Sequence, residues 1–176
     1  IGPDQSPVYS WNLIAENTKA DYYMLAGDEI EFKTVGWDDM IYDCKKKFSD
    51  GIFVIAAYDD RGQHTYDRCT QPFVTKEWAT ALGYHWNPSF FHWNIDEYTG
   101  ELCKAIDRFI FLKELVIKCS KIKDKTGSRL RKPGLFNRDK WVLEKLMKNN
   151  FNSDIDKLRK AIAKACLLYT SPSPRD

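Results

Sequence analysis

The chain has 176 residues, 43% apolar and 14% aromatic, which is enough for one domain with a real core and too apolar for a disordered segment. Its net charge of +2 gives no global argument for binding nucleic acid, and no run approaches the roughly 18 apolar residues that span a bilayer. Six Trp and nine Tyr are generous for this length and suit either core packing or a surface that stacks on sugars or bases.

Ser6-Pro7 is an N-cap followed by a first helical position, and Val8, Trp11 and Ala15, with Leu13 and Ile14 beside them, give an apolar helical face to about Thr18. DYYMLA (21–26) is a short continuous apolar run that reads as a strand buried on both faces and ended by Gly27. Asp38 or Asp39 caps a second helix, on which Met40, Cys44 and Phe48 fall four apart. IFVIAAY (52–58) is a second buried strand, followed by the polar loop DDRGQHTYDR.

A brief extended piece, PFV (72–74), leads to Thr75, which caps a helix closed by Gly83. HWNPSFFHWN (85–94) is an aromatic loop without a period. Residues 95–106 are helical, with Ile95, Tyr98, Leu102 and Ile106 on one face, and 108–119 are mostly strand with a turn at Lys113-Glu114. KIKDKTGSRLRKPG (121–134) is a basic loop, Asn137 or Asp139 starts another helix, and Ser153 caps the last one. Helices alternating with buried strands predict an α/β layered fold with a mixed sheet.

Of the five cysteines, Cys44, Cys69, Cys103 and Cys119 are scattered and form no C-x-x-C pair. They read as buried thiols in a reducing, cytoplasmic setting. The fifth lies in CLLYTSPSPRD (166–176), which breaks a helical pattern in mid-turn and resembles a translated sequencing adaptor; a natural Ser/Pro tail is the alternative. The chain also opens on Ile1 without a basic, apolar leader. Both natural ends are therefore expected to lie outside this sequence, and a membrane-peripheral attachment through such an end stays open.

In an α/β sheet, ligands bind beyond the carboxyl ends of strands, and MLAGDEIEF (24–32) places Asp28, Glu29 and Glu31 at such an end. Carboxylates there either make a solvated turn or hold a hard cation such as Mg²⁺ or Mn²⁺ together with substrate phosphates. Asp96 caps the helix that follows the aromatic loop, or acts as a base, or does both. His92, Trp93 and Trp86 either pack or stack on a sugar, and Trp37 is a core residue or a ligand contact. His64 and His85 have no partner at ligand spacing and read as structural or surface residues.

WNLIAENTKADYYMLAGDEIEF resembles a stretch of the GT-A glycosyltransferases, particularly glycosyltransferase family 2. The resemblance sets Gly27, Asp28 and Glu29 on the family's D-x-D positions, with Phe32 on the following aromatic and Glu29 as the direct ligand of a divalent cation. Glycine here replaces the first acid, and glutamate the last aspartate. Downstream, FVTKEWATALGYHWNPSFFHWNIDEYTGELCKAIDRFIFLKELVIKC is similar to the acceptor half of the same fold. It implies Asp96, or else Glu97, as catalytic base, Gly83-Tyr84 as the turn before the aromatic loop, and Arg108 as the arginine before the last strand. Cys119 falls where the family often carries a histidine that completes the metal or diphosphate site, so that either the thiol substitutes or nearby lysines such as Lys121 bind the diphosphate.

The resemblance therefore implies an inverting, metal-assisted transfer from a nucleotide-sugar donor to a glycan or other hydroxyl acceptor. Residues 1–150 would form a partial GT-A domain incomplete at its N-terminus, with a C-terminal helix over 151–165. The basic loop with Lys121, Lys123, Arg129, Arg131 and Lys132 would close over the diphosphate, contact nucleic acid or stay solvated. Two rivals use the same residues: a metal-dependent phosphoryl-transfer enzyme or nuclease, and a non-catalytic carbohydrate-binding domain.

Overall fold

A computed structural model describes residues 6–27, 30–59, 69–119 and 133–170. Helix α1, Pro7–Glu16, starts as its cap signal predicts: Ser6 Oγ accepts the Tyr9 amide at 3.0 Å. Val8 and Ala15 are buried and Trp11 packs on the core, whereas Leu13 and Ile14 are exposed. The elements that follow are β1 (Tyr22–Met24), β2 (Ile30–Phe32), α2 (Trp37–Asp43, prolonged by a 3-10 turn Cys44–Lys46), β3 (Val54–Asp59) and β4 (Phe73–Thr75). After them come α3 (Lys76–Leu82), α4 (Ile95–Ala105), β5 (Phe109–Cys119), α5 (Pro133–Asn149) and α6 (Phe151–Thr170).

The strands form one mixed sheet in the order β1-β4-β3-β5-β2, in which β3 and β5 are parallel and the other neighbours antiparallel. Side chains alternate across the pleat. Val54 and Val74 face a core built with Val8, Trp78, Tyr98, Leu102, Leu146 and Leu158, that is, with α1, α3, α4, α5 and α6. Phe53, Ile55 and Phe73 face the opposite side, where Ile41 and Cys44 of the α2 region cover them. The chain is thus an α/β protein with helices on both faces of a mixed sheet.

The turn predicted at Lys113-Glu114 is an irregularity inside β5. Leu112 pairs with Ala57 and Val116 with Tyr58, which leaves Lys113, Glu114 and Leu115 without partners on β3. Leu115 drops into the core at 0% exposure. Thr34 serves the freed backbone: its hydroxyl donates to Glu114 O at 2.8 Å and accepts from Val116 N at 2.9 Å.

Several boundaries differ from the sequence reading. β1 is an edge strand, half-buried along its length, because its Tyr22-Tyr23-Met24 run pairs with β4 alone. α2 starts after Gly36 without a side-chain cap, and Asp38 and Asp39 lie in its first turn, where the amide dipoles favour them. α5 begins at Pro133, a residue preorganised for a helix start, and not at Asn137 or Asp139. α6 begins at Phe151, which puts Ser153 inside it, and runs on to Thr170.

One consequence of the strand order governs the candidate site. β1, β3 and β5 run the same way, so Met24, Asp59 and Cys119 end at one edge of the layer, where Ile30 and Phe73 open β2 and β4. β1 and β2 lie at opposite sides of the sheet.

α4 approaches Cys69 so closely that a Cβ on Gly100 would stand 2.6 Å from Cys69 Cβ. Neither backbone can yield cheaply. Gly100→Ala should lower the unfolding free energy by about 1–3 kcal/mol, measured by urea denaturation; an unchanged midpoint would show that the contact relaxes freely.

Candidate functional site

The segment Cys69–Pro72 lies among the strand ends. Pro72 O accepts the Leu25 amide at 2.9 Å, which fastens it to the end of β1. Gln71 Nε2 donates to Cys119 Sγ at 2.9 Å, which fastens it to the end of β5. Cys119 in turn sits directly opposite Ile30 in the β2–β5 pairing. Asp59, buried at 4% exposure, lies opposite Ile117 on the neighbouring strands. Burial pushes the Cys69 thiol up, with contact to Cys103 and the charge of Asp96 adding less. The ends of β1 and β5 therefore meet at residues 69–72, and α4 packs on Cys69.

The aromatic loop before α4 is held by polar side chains aimed at its backbone. Asn12 on α1 clamps the Trp86 peptide, accepting its N–H at 2.9 Å and donating to its C=O at 2.7 Å. Asp139, 0% exposed in the middle of α5, accepts the amides of Phe91, His92 and Trp93 at 2.9, 2.7 and 2.8 Å. Arg138 Nη1 completes that carboxylate at 2.6 Å. Asp154 on α6, 4% exposed, accepts the hydroxyls of Tyr84 and Tyr98 at 2.8 and 2.9 Å and the Lys157 ammonium at 2.7 Å. Burial and the Asp154 charge raise both tyrosines far above the usual phenol range, so they remain donors at any working pH.

These anchors fix the residues named from the sequence. Gly83 is the left-handed C-cap of α3, with φ +86°, a backbone that favours glycine. Tyr84 spends its hydroxyl on Asp154. The His92 ring lies 5.7 Å from Trp11 and 4.8 Å from Trp93, and its Nδ1 is buried without a hydrogen-bond partner. Trp93 meets Phe136 edge-on at 5.8 Å. Asp96 and Glu97 open α4, with Asp96 half-buried and its Oδ1 accepting the Glu97 amide at 3.0 Å, and with Glu97 exposed and bonded to Asn94.

One of those residues belongs to the smaller core, and another stands at the far end of the sheet. Trp37 stacks on Phe32 at 3.9 Å in the smaller core. Arg108 precedes β5, at the end opposite Cys119, on the order of 30 Å away along the strand. There it pairs with Asp50 at 3.1 Å and lies over the Phe48 ring at 4.4 Å. Asp28, Glu29, His64, Lys121, Lys123, Arg129, Arg131 and Lys132 lie outside the described residues.

Asp59, Gln71 and Asp154 were not singled out from the sequence, and Asp139 was named only as a helix start. An acid closing the apolar run IFVIAAYD offered the same signal as the one after MLAG, and Asp59 was legible in that way. The other three contact backbone or side chains remote in sequence, and no local pattern announces them. Among the described residues, no three His, Cys, Asp or Glu side chains group as a metal site, and no helix is long and apolar enough to cross a membrane. No family model, curated protein or solved structure matches the chain.

Asp139 is the most consequential of the anchors. Asp139→Asn exchanges an acceptor oxygen for a donor that faces amide N–H groups, and should cost about 2–4 kcal/mol. Near-UV circular dichroism should report loosened tryptophans, and a wild-type melt and spectrum would contradict the anchoring.

Burial holds the imidazoles of His85 and His92 below their usual range, with Glu16 and Asp139 opposing more weakly. Above about pH 6.5 both are neutral, folded or unfolded. Below it the unfolded chain takes up protons that the fold refuses, so stability is lost as pH falls towards the folded values. Melting temperature should therefore drop between pH 7 and 5.5, and less so in His85→Asn/His92→Asn.

Proposed function

We propose that the chain is part of a metal-assisted, inverting glycosyltransferase of the GT-A type, similar to family 2, with its ligand end at the carboxyl ends of β1, β3 and β5. One observation carries this reading. The stretch that bears the acids leaves the sheet at one edge and returns at the other. Met24, before the acids, and Ile30, after them, both lie at the edge of the layer where Cys119 and Gln71 meet. That shared edge supports the reading that residues distant in sequence serve one site.

In this reading Asp96 takes the proton of the acceptor hydroxyl as that oxygen attacks the anomeric carbon. The well-anchored loop before α4 keeps its carboxylate in place while the acceptor binds. His92 and Trp93, held through their backbone amides, offer ring faces beside it. Asp28 and Glu29 would hold a Mn²⁺ or Mg²⁺ ion, which when bound supplies charge to stabilise the departing diphosphate. The orphaned oxygen of Gln71 fits such a cation site, because a buried acceptor without a partner suits a cation or its bound water. Either the Cys119 thiol or Lys121 would meet the diphosphate. Arg108, paired with Asp50 at the far end, serves the fold and not the donor.

Restored to its full-length gene, the protein should show Mn²⁺-dependent hydrolysis or transfer with a panel of nucleotide sugars. Asp96→Asn should slow transfer by about 10²–10⁴-fold without weakening donor binding. Asp28→Asn/Glu29→Gln should abolish the metal dependence and donor binding together. Unchanged turnover in both variants would sink the assignment. Phosphodiester cleavage would favour the phosphoryl-transfer reading, and sugar binding indifferent to Asp96→Asn the carbohydrate-binding one.

A further inference from the structure

The near-neutral total conceals a segregation of charge. Residues 1–120 carry 12 Lys and Arg against 19 Asp and Glu, whereas 133–170, the span of α5 and α6, carry eight against four. Two of those four acids, Asp139 and Asp154, are buried in the anchors already described, so the outer surface of the helix pair is more basic still. α5 turns Asp139, Val142 and Leu146 inward. Trp141, Lys145 and Lys148, at i, i+4 and i+7, share its exposed face, with Glu144 beside them. α6 turns Ile155 and Leu158 inward and carries Lys157, Lys160 and Lys164 along its exposed side. Trp141 is 58% exposed, and Lys145 Nζ stands 4.9 Å from its ring centroid. Among the described residues, the ion pairs of these two helices are those of Arg138 and Lys157 with the buried acids.

We propose that the outer face of α5 and α6 docks on an anionic lipid surface, with the Trp141 indole at the headgroup boundary and the lysines over the acidic headgroups. Segregated charge attracts a partner of opposite sign, and a cluster of lysines beside a bilayer selects acidic lipids. An indole, apolar with one polar N–H, is suited to the membrane–water boundary. Lysine stems lie along that boundary while their ammonium groups reach the headgroups. The contact is one of lying on the surface and not of spanning it. Nucleic acid fits less well, because a single strand is tracked by a groove with several stacking rings, whereas the outside of α5 is convex and carries one ring among its lysines. The proposal is independent of the transferase reading. Asp139 holds the loop 91–93 from the inner side of α5, so changes on the outer side leave that anchor in place.

The test is co-sedimentation of the chain with phosphatidylcholine vesicles made with or without phosphatidylserine. Expected are binding to the phosphatidylserine vesicles alone and release at about 0.5 M salt. Lys145→Gln/Lys148→Gln should weaken partitioning by about 5-fold for each lysine removed. Trp141→Ala should weaken it as well and diminish the change in tryptophan fluorescence on binding. Lys46→Gln, at an exposed lysine of the 3-10 turn on the other face of the sheet, should bind as wild type does. A wild-type chain that stays in the supernatant, or lysine and tryptophan variants that bind as wild type does, would overturn the proposal. Binding to single-stranded DNA in place of vesicles, or a dimer in place of vesicle binding, would overturn it too and assign the face to nucleic acid or to a second copy. Matching circular dichroism melts for all the proteins exclude a folding defect as the cause.

Discussion

The Asp139 carboxylate is the contact on which the candidate site most depends. It is a charge with no solvent exposure, placed in the middle of a helix, and it survives there because three backbone amides and a guanidinium surround it. A buried carboxylate without such partners would neutralise or unfold its surroundings. The dependence is mutual. The loop 91–93 has no periodic structure of its own to pair its N–H groups, and Asp139 accepts them. Its position fixes where α4 begins, and with it Asp96.

Asp154 repeats the arrangement one helix later. By accepting two tyrosine hydroxyls it ties the Gly83-Tyr84 turn to the first turn of α4, and Asn12 clamps the loop between them from α1. Three helices thus hold an irregular stretch through polar contacts to backbone and hydroxyl groups, while Trp86, Phe90 and Tyr98 fill the core beneath. Rings at the loop surface can then face a ligand on a rigid support. At the strand ends the fastening is lighter: one backbone bond to Leu25 and one amide–thiol contact.

Much of the fold was legible because its signals are local. Ser6-Pro7, Thr75 with Gly83, and the 3.6-residue spacing of Ile95, Tyr98 and Leu102 each act within one or two turns, and each element stands where those residues predicted. What depends on neighbours was not legible. DYYMLA reads as a strand buried on both faces because apolar runs do not reveal how many partners a strand has, and β1 pairs on one side only and is half-buried. Asp139 resembles a helix cap, since aspartate favours that position, yet its partners lie across the core in a loop that no spacing rule connects to it. The place of Arg108 is likewise set by topology: the parallel pairing of β3 and β5 carries it beside Asp50, at the end opposite Cys119.

The central claim is that the ligand end is the carboxyl end of β1, β3 and β5, and paramagnetic broadening tests it most directly. Mn²⁺ added in small amounts to ¹⁵N-labelled protein should first broaden the amide signals of Gly27, Ile30, Gln71 and Cys119, with those of Asp50, Asp107 and Arg108 unaffected. Broadening that begins around Arg108, or that spreads evenly over surface carboxylates, would contradict it.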